Sequence, residues 1–130
     1  MSRLDTLLHQ EWLLLKEAQK MFGYSVESCA AYQHKKRFSM ADEDKMEAYT
    51  ARFARLLDIF IQKILRLIDK MDLNEEGTLR DVINRAAKKG LVSDAEKLIQ
   101  LKIYRNEIAH DYIPSGARRI FFEVREYQKF

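Results

Sequence analysis

Apolar residues recur every three or four positions from the start of the chain: Leu4, Leu7, Leu8, Leu14, Leu15, Ala18 and then Met21 or Phe22. That period is the mark of a helix with one buried side. Ser2, with Asp5 three residues on, supplies a cap and a negative charge for the helix dipole, and Gly23 predicts the stop. Residues 24–38 lose the period and carry Lys35-Lys36-Arg37, which predicts a short helix or a loop. After Ser39 the period resumes. Asp42, Glu43 and Asp44 crowd a first turn and no glycine or proline occurs before Asp72, so a second and longest helix is predicted there. Between Phe53 and Met71 its apolar positions (Phe53, Leu56, Leu57, Phe60, Ile61, Ile64, Leu65, Leu67 and Ile68) are too broad for one narrow stripe. They imply burial by two neighbours, one of which a second copy of the chain can supply.

Thr78 with Asp81, followed by Leu79, Val82, Ile83, Ala86 and finally Gly90, describes a short third helix capped at both ends. In Ser93-Asp94-Ala95-Glu96 the serine oxygen and the glutamate satisfy free amides reciprocally, a capping box that opens a fourth helix marked by Ala95, Leu98, Ile99, Leu101, Ile103 and Ile108. Pro114 disfavours helical geometry at Ile113, so this helix is expected to end at about His110 or Asp111. Ser115 is positioned to cap a last helix through Ile120, Phe121, Val124 and Tyr127. No repeat, low-complexity tract or linker interrupts the series. The expectation is one all-α domain over residues 1–130, a compact bundle of five helices with material for a sixth short one.

Composition narrows the alternatives. Four glycines and one proline leave too little turn material for a β-sandwich, whereas 47% hydrophobic and 33% charged residues suit a helical globular protein. The opening Met1-Ser2-Arg3-Leu4-Asp5 does not begin a cationic and apolar leader, and no apolar run reaches the length of a membrane span, so a cytoplasmic protein with no membrane partner is expected. Cys29 stands alone, which excludes an intrachain disulfide and a cysteine metal cluster and leaves it a small core or boundary side chain. A net charge of +3 does not announce a nucleic-acid binder. The clusters Lys35-Lys36-Arg37, Lys88-Lys89 and Arg118-Arg119 read as solvated surface unless two of them converge on Arg105 and His110.

Those two residues belong to the densest chemistry in the chain, Arg105-Asn106-Glu107-Ile108-Ala109-His110-Asp111-Tyr112. An arginine is a fixed positive fork for phosphate oxygens, and a histidine titrates near neutrality. Cleaving RNA without a metal or cofactor requires a base for the ribose 2′-hydroxyl, an acid for the departing 5′-oxygen and positive charge for the phosphorane, and it leaves a 2′,3′-cyclic phosphate. His110 can act as base or acid, a helix carboxyl end favouring its imidazolium form, and Arg105 as the clamp. Asn106 orients the imidazole, binds a phosphate oxygen or is merely solvated. Tyr112 is a modification acceptor, an RNA stacker or a packed ring. The competing reading makes Arg105 a salt-bridge partner for a nearby carboxylate and His110 a cover for the last helix carbonyls. His9 and His34 read as surface or boundary residues, and Asp42, Glu43 and Asp44 as dipole compensation rather than a metal cluster. On a continuous helix five residues turn through about 500°, leaving Arg105 and His110 roughly 140° apart. Either the helix loosens before His110 or a second protomer completes the site.

Arg105-Asn106 with His110 and Tyr112 forms an R-polar-x3-H signature extended to R-x4-H-x-Y. Upstream stand Gly77-Thr78-Leu79-Arg80-Asp81-Val82-Ile83, Ala86 and Gly90-Leu91-Val92. On these residues, over roughly residues 77–112, the chain resembles the HEPN family, in the branch of HepT toxins and nucleotidyltransferase substrate-binding proteins. It departs from that branch in Tyr104 before the arginine and in lacking a tryptophan-lysine pair on the second helix. The resemblance implies a five-helix fold, a homodimer and a metal-independent endoribonuclease site in the cleft between protomers, with Arg105 and His110 catalytic and Asn106 supporting. It also implies the toxin role in a type VII (HEPN/MNT) toxin–antitoxin pair. The partner would be an MNT-type nucleotidyltransferase antitoxin that in some members adds AMP to the tyrosine matching Tyr112. The alternatives are a noncatalytic nucleotide- or partner-binding subunit of a nucleotidyltransferase, and a helical adaptor whose basic clusters only solubilise.

Overall fold

The computed structural model describes residues 2–74, 77–110 and 116–128. Its elements are α1 (Arg3–Ser28), a 3-10 turn (Ala30–His34), α2 (Met40–Asp58), a π segment (Ile59–Leu65), α3 (Arg66–Met71), α4 (Leu79–Lys88), α5 (Ala95–His110) and α6 (Gly116–Gln128). α2, the π segment and α3 follow without a break and make one rod, so the described residues form five helical rods and contain no strand. Among them, no helix is long and apolar enough to cross a membrane.

Local chemistry sets most of the boundaries. In Ser2–Asp5, Ser39–Asp42 and Thr78–Asp81 the hydroxyl accepts the amide three residues on, and the aspartate accepts the amide of the capping residue. Each such cap contributes about 1 kcal/mol to its helix. α4 ends as its sequence predicts: Gly90 takes a φ of 79°, and the amides of Gly90 and Leu91 return to the carbonyls of Ala87 and Ala86.

Two boundaries differ from expectation. α1 passes through Gly23 and ends at Ser28. Beyond Gly23, Arg52 Nη1 donates to Ser25 Oγ at 2.8 Å and its guanidinium lies 5.7 Å from the centre of the Tyr24 ring, while Phe22 meets Tyr49 edge-on at 4.9 Å. These contacts with α2 outweigh the roughly 1 kcal/mol that a mid-helix glycine costs. At α5 the cap is Asp94 rather than Ser93, with Asp94 Oδ1 accepting the Lys97 amide at 3.1 Å. Aspartate caps as well as serine, and the residue directly before the first helical turn takes the role.

The rod runs through the centre of the fold. α1 lies antiparallel along it, Phe22 meeting Tyr49 and Phe53 at one end and Leu8 and Leu15 facing Leu57 to Ile68 toward the other. α5 and α6 cover α2 from another side, and α4 packs on the π segment and α3. Much of the broad apolar surface of the rod thus finds its neighbours within the chain, while Leu56, Phe60 and Ile68 are only half-buried. Met46, Tyr49, Ile61, Ile83, Ile120 and Phe121 are almost wholly buried, with the Tyr49 and Phe121 rings 4.7 Å apart, and each such side chain stabilises the fold by about 2 kcal/mol. Cys29 is buried among them, and desolvation pushes its thiol pKa up. Arg125 of α6 donates to the carbonyls of Cys29 and Ala30 at 2.9 and 2.6 Å, tying the last helix to the end of the first. Where α1 splays from the rod, Leu8, Trp12, Leu15, Leu56, Phe60 and Ile68 line an apolar groove of about 1050 Å³.

Candidate functional site

α5 is held by its apolar side: Leu98 is buried, and Ile99, Leu101, Tyr104 and Ile108 pack on the core. That orientation turns Lys102 and Arg105, which are neighbours one helical turn apart, toward the point where α2 gives way to the π segment. There Arg105 Nε and Nη2 donate to Asp58 Oδ1 and Oδ2, both at 2.7 Å. This is a two-bond fork of charge-assisted hydrogen bonds, and it raises the pKa of the Arg105 guanidinium further above an already high value. The side chains are 25% and 34% exposed, so the pair forms a wall of a cleft and not a core ion pair.

The cleft measures about 340 Å³ and is lined by Asp58, Ile59, Gln62, Lys63, Lys102 and Arg105. Lys102 Nζ stands 3.8 Å from Asp58 Oδ1, close enough to attract but too far to donate a hydrogen bond. Three cations and one carboxylate leave the cleft with a surplus of positive charge. The π segment begins directly after Asp58. In such a segment each amide reaches one residue further back than in an α-helix, which re-aims the side chains that follow, and proteins use the device often where a site is built. Here it presents Gln62 and Lys63 to the same cleft as the two α5 cations.

Of the residues singled out in the sequence, Arg105 faces this cleft, and Asn106 is exposed on the next position of α5. α5 is described as far as His110, and the end that Pro114 predicts at about His110 or Asp111 falls at the edge of residues 111–115, which lie outside the described residues. The helix is unbroken to that point, so it does not loosen ahead of His110, and the two positions remain roughly 140° apart in register. Asn106, four residues before His110, shares its face. The His110 side chain and all of Tyr112 lie outside the described residues.

The three basic clusters are drawn to different carboxylates. Lys35 pairs with Asp42 at 2.6 Å, and Lys89 bridges Asp69 at 3.2 Å and Asp72 at 2.6 Å. Arg119 lies across Glu107 and Glu123, both at 3.1 Å, which brings that cluster alone against α5. Asp42 itself is a cap and a hub. It accepts from the Ser39 amide and from the Tyr32 hydroxyl at 2.8 Å, and with Lys35 foremost these partners hold its carboxyl well below the usual range. Burial first, then the bond to Asp42, pushes Tyr32 up to about 12.

Sequence reasoning overlooked Asp58 and Lys102. A signal for Asp58 exists: it is the only acidic residue between Glu47 and Asp69, in a stretch rich in apolar and basic residues, where a lone carboxylate calls for a cationic partner. No family model matches this chain, and neither the curated proteins nor the solved structures compared with it contain a match.

Proposed function

We propose that the protein is a HEPN-type toxin, a metal-independent endoribonuclease that works as a homodimer. The observation that carries this reading is the arginine fork in an electropositive cleft on the helix that also bears His110. Arg105 steadies the scissile phosphate. A histidine base takes the proton of the ribose 2′-hydroxyl as its oxygen bonds to phosphorus. As the bond from phosphorus to the 5′-oxygen breaks, a histidine acid returns a proton to that leaving group, and the product is a 2′,3′-cyclic phosphate. The unbroken register of α5 supports a second copy: with Arg105 and His110 on different sides of one helix, a two-fold arrangement lets His110 of each copy serve opposite faces of one phosphate. Asn106, on the face of His110, orients the imidazole.

Neutralisation falls to a nucleotidyltransferase antitoxin of the MNT type. Adding AMP to Tyr112 sets a bulky anion two residues from His110, which repels RNA and blocks the cleft. The test is cleavage of RNA by purified protein, unmodified at Tyr112, in excess chelator. Wild type is expected to cut, and Arg105→Ala and His110→Ala to lose about a hundredfold or more in rate while remaining folded. Peptide masses around Tyr112, with and without the partner gene product, report the AMP groups.

The bidentate tie to Asp58 favours a second reading, in which Arg105 is chiefly structural and the protein is a noncatalytic nucleotide- or partner-binding subunit of a nucleotidyltransferase. An inert, unmodified wild type that binds such a partner would decide for it.

A further inference from the structure

The cleft beside Arg105 contains more positive charge than one arginine tie requires, and its geometry leaves donors pointing outward. A guanidinium has five N–H donors on two usable edges. Asp58 takes the side edge through Nε and Nη2, so the end edge, with both Nη1 hydrogens and the second on Nη2, remains as another fork. Lys102 is the next donor. Its side chain is only 15% exposed, so the packed stem fixes where the ammonium sits, and at 3.8 Å from Asp58 none of its three hydrogens is committed to that carboxylate. Lys63 adds a third cation from the π segment. Gln62 is oriented by Arg66, whose Nε donates to Gln62 Oε1 at 2.9 Å, which leaves the amide nitrogen as a donor.

We propose that this cleft is a phosphate subsite for the RNA backbone. In it Lys102 and Lys63 hold a phosphodiester next to the one clamped by Arg105, and Asp58 is a positioning residue that fixes the arginine's free edge. The assignment rests on the reading of RNA as the substrate. A structural ion pair needs no surplus cations, and Asp58 alone cannot neutralise three of them. Two positive charges beyond the tie, Lys102 fixed by its packed stem and Lys63 on the exposed side, suit consecutive phosphates of a single strand, and an open cleft between two rods admits a chain as well as a free ion. Asp58 also makes the cluster tolerable before RNA arrives, since three unscreened cations this close repel one another.

The test is fluorescence anisotropy with a labelled 2′-O-methyl RNA strand, which lacks the attacking hydroxyl and so reports binding without cutting. Lys102→Met keeps the packed stem and removes only the charge; Lys63→Gln does the same on the exposed side. Each is expected to weaken binding by about three- to tenfold and to reduce the slope of log affinity against log salt by about 0.7, while Lys88→Gln, away from the cleft, leaves both unchanged. Asp58→Asn is expected to bind the strand at least as tightly as wild type yet to cut natural RNA roughly tenfold more slowly at saturation, a loss in kcat without a rise in KM. Equal affinity in wild type and both lysine variants, equal losses in Lys88→Gln, no binding of the strand at all, or binding of mononucleotides alone would each overturn the subsite. Lysine-dependent binding by a wild type that never cuts keeps the subsite and removes the nuclease reading. Cutting by variants that bind like wild type does the reverse.

Discussion

Asp58 and Asp69 stand on the same rod and each holds an arginine, yet their surroundings differ in every respect that matters. Asp69 has a side chain 5% exposed and accepts from Arg85 Nε at 3.1 Å, from Arg85 Nη2 at 2.8 Å and from Lys89 at 3.2 Å, while Lys89 also reaches Asp72. Two carboxylates meet two cations there, and the corner between α3 and α4 is closed over the Asp69 carboxylate, although Arg66 and Lys70 also line it. Asp58 is 34% exposed, accepts two bonds from Arg105 and is, among the described residues, the one acid lining a cleft that also contains Lys102, 3.8 Å from it, and Lys63. Identical side-chain chemistry serves assembly at one corner, where the carboxylate is buried and tied by three bonds. At the other it leaves a surface with donors to spare, which is the condition for taking an anionic ligand.

The comparison is sharpened first by deleting each carboxylate. Asp69→Ala is expected to destabilise the fold by about 3 kcal/mol, the lower end for breaking a buried pair, because Arg85 and Lys89 retain 26% and 29% exposure and recover some hydration. Asp58→Ala is expected to cost about 1 kcal/mol or less, as for a partly solvated pair. Urea unfolding followed by circular dichroism measures both. Equal costs would show that the two corners do the same work and would remove the distinction.

Acid is the second way to separate them. Burial works against the ionised form of Asp69, but hydrogen bonds and charge from Arg85 and Lys89 outweigh it and hold the carboxyl below its ordinary value. A folded-state pKa below the unfolded one, about 3.9 for aspartate, gives stability that is complete above roughly pH 5 and disappears as pH falls through the folded value. Thermal melts from pH 7 to pH 2.5 should therefore show wild type approaching Asp69→Asn as acid is added. Asp42 and Asp81, held low by their own partners, titrate in the same direction in both proteins and leave a residual acid limb. A gap between wild type and Asp69→Asn that stays constant down to pH 2.5 would contradict the closed-corner description.

The closed corner and the open cleft were legible in the sequence to very different degrees. Caps such as Ser39 with Asp42 and Thr78 with Asp81 are readable because a cap is a contact between residues three apart, and the rod because nothing in it breaks a helix. Gly23 misleads because its penalty is small and the contacts that override it, from Tyr49, Arg52 and Phe53, come from another helix. The π segment has no local marker, containing neither glycine nor proline. Arg105 stands out by its motif, but its partner Asp58 is 47 residues away, and only packing decides which acid meets which arginine. The arginine–histidine motif thus shows in one dimension, whereas the charge surplus around it exists only once α5 lies against the rod.

Salt gives the smallest and most discriminating effect. Raising ionic strength from about 0.1 M to 1 M shortens the Debye length from about 10 Å to about 3 Å, which screens charges that water can reach and hardly touches those it cannot. Asp58, in contact with solvent and beside three cations, should lose roughly half of its stabilising contribution over that range, a change of a few tenths of a kcal/mol. The cost of Asp69→Ala should hold nearly constant, because its partners are inside the screening distance and the carboxylate is sealed from the ions. If the cleft takes RNA as proposed, the same salt series read by anisotropy moves far more than the stability does, since each phosphate held by a cleft lysine would release counterions. If instead Asp69→Ala proved the salt-sensitive variant and Asp58→Ala the constant one, the sealed site and the accessible site would have been assigned the wrong way round, and the argument that surplus charge beside Arg105 is there to receive RNA would lose its physical basis.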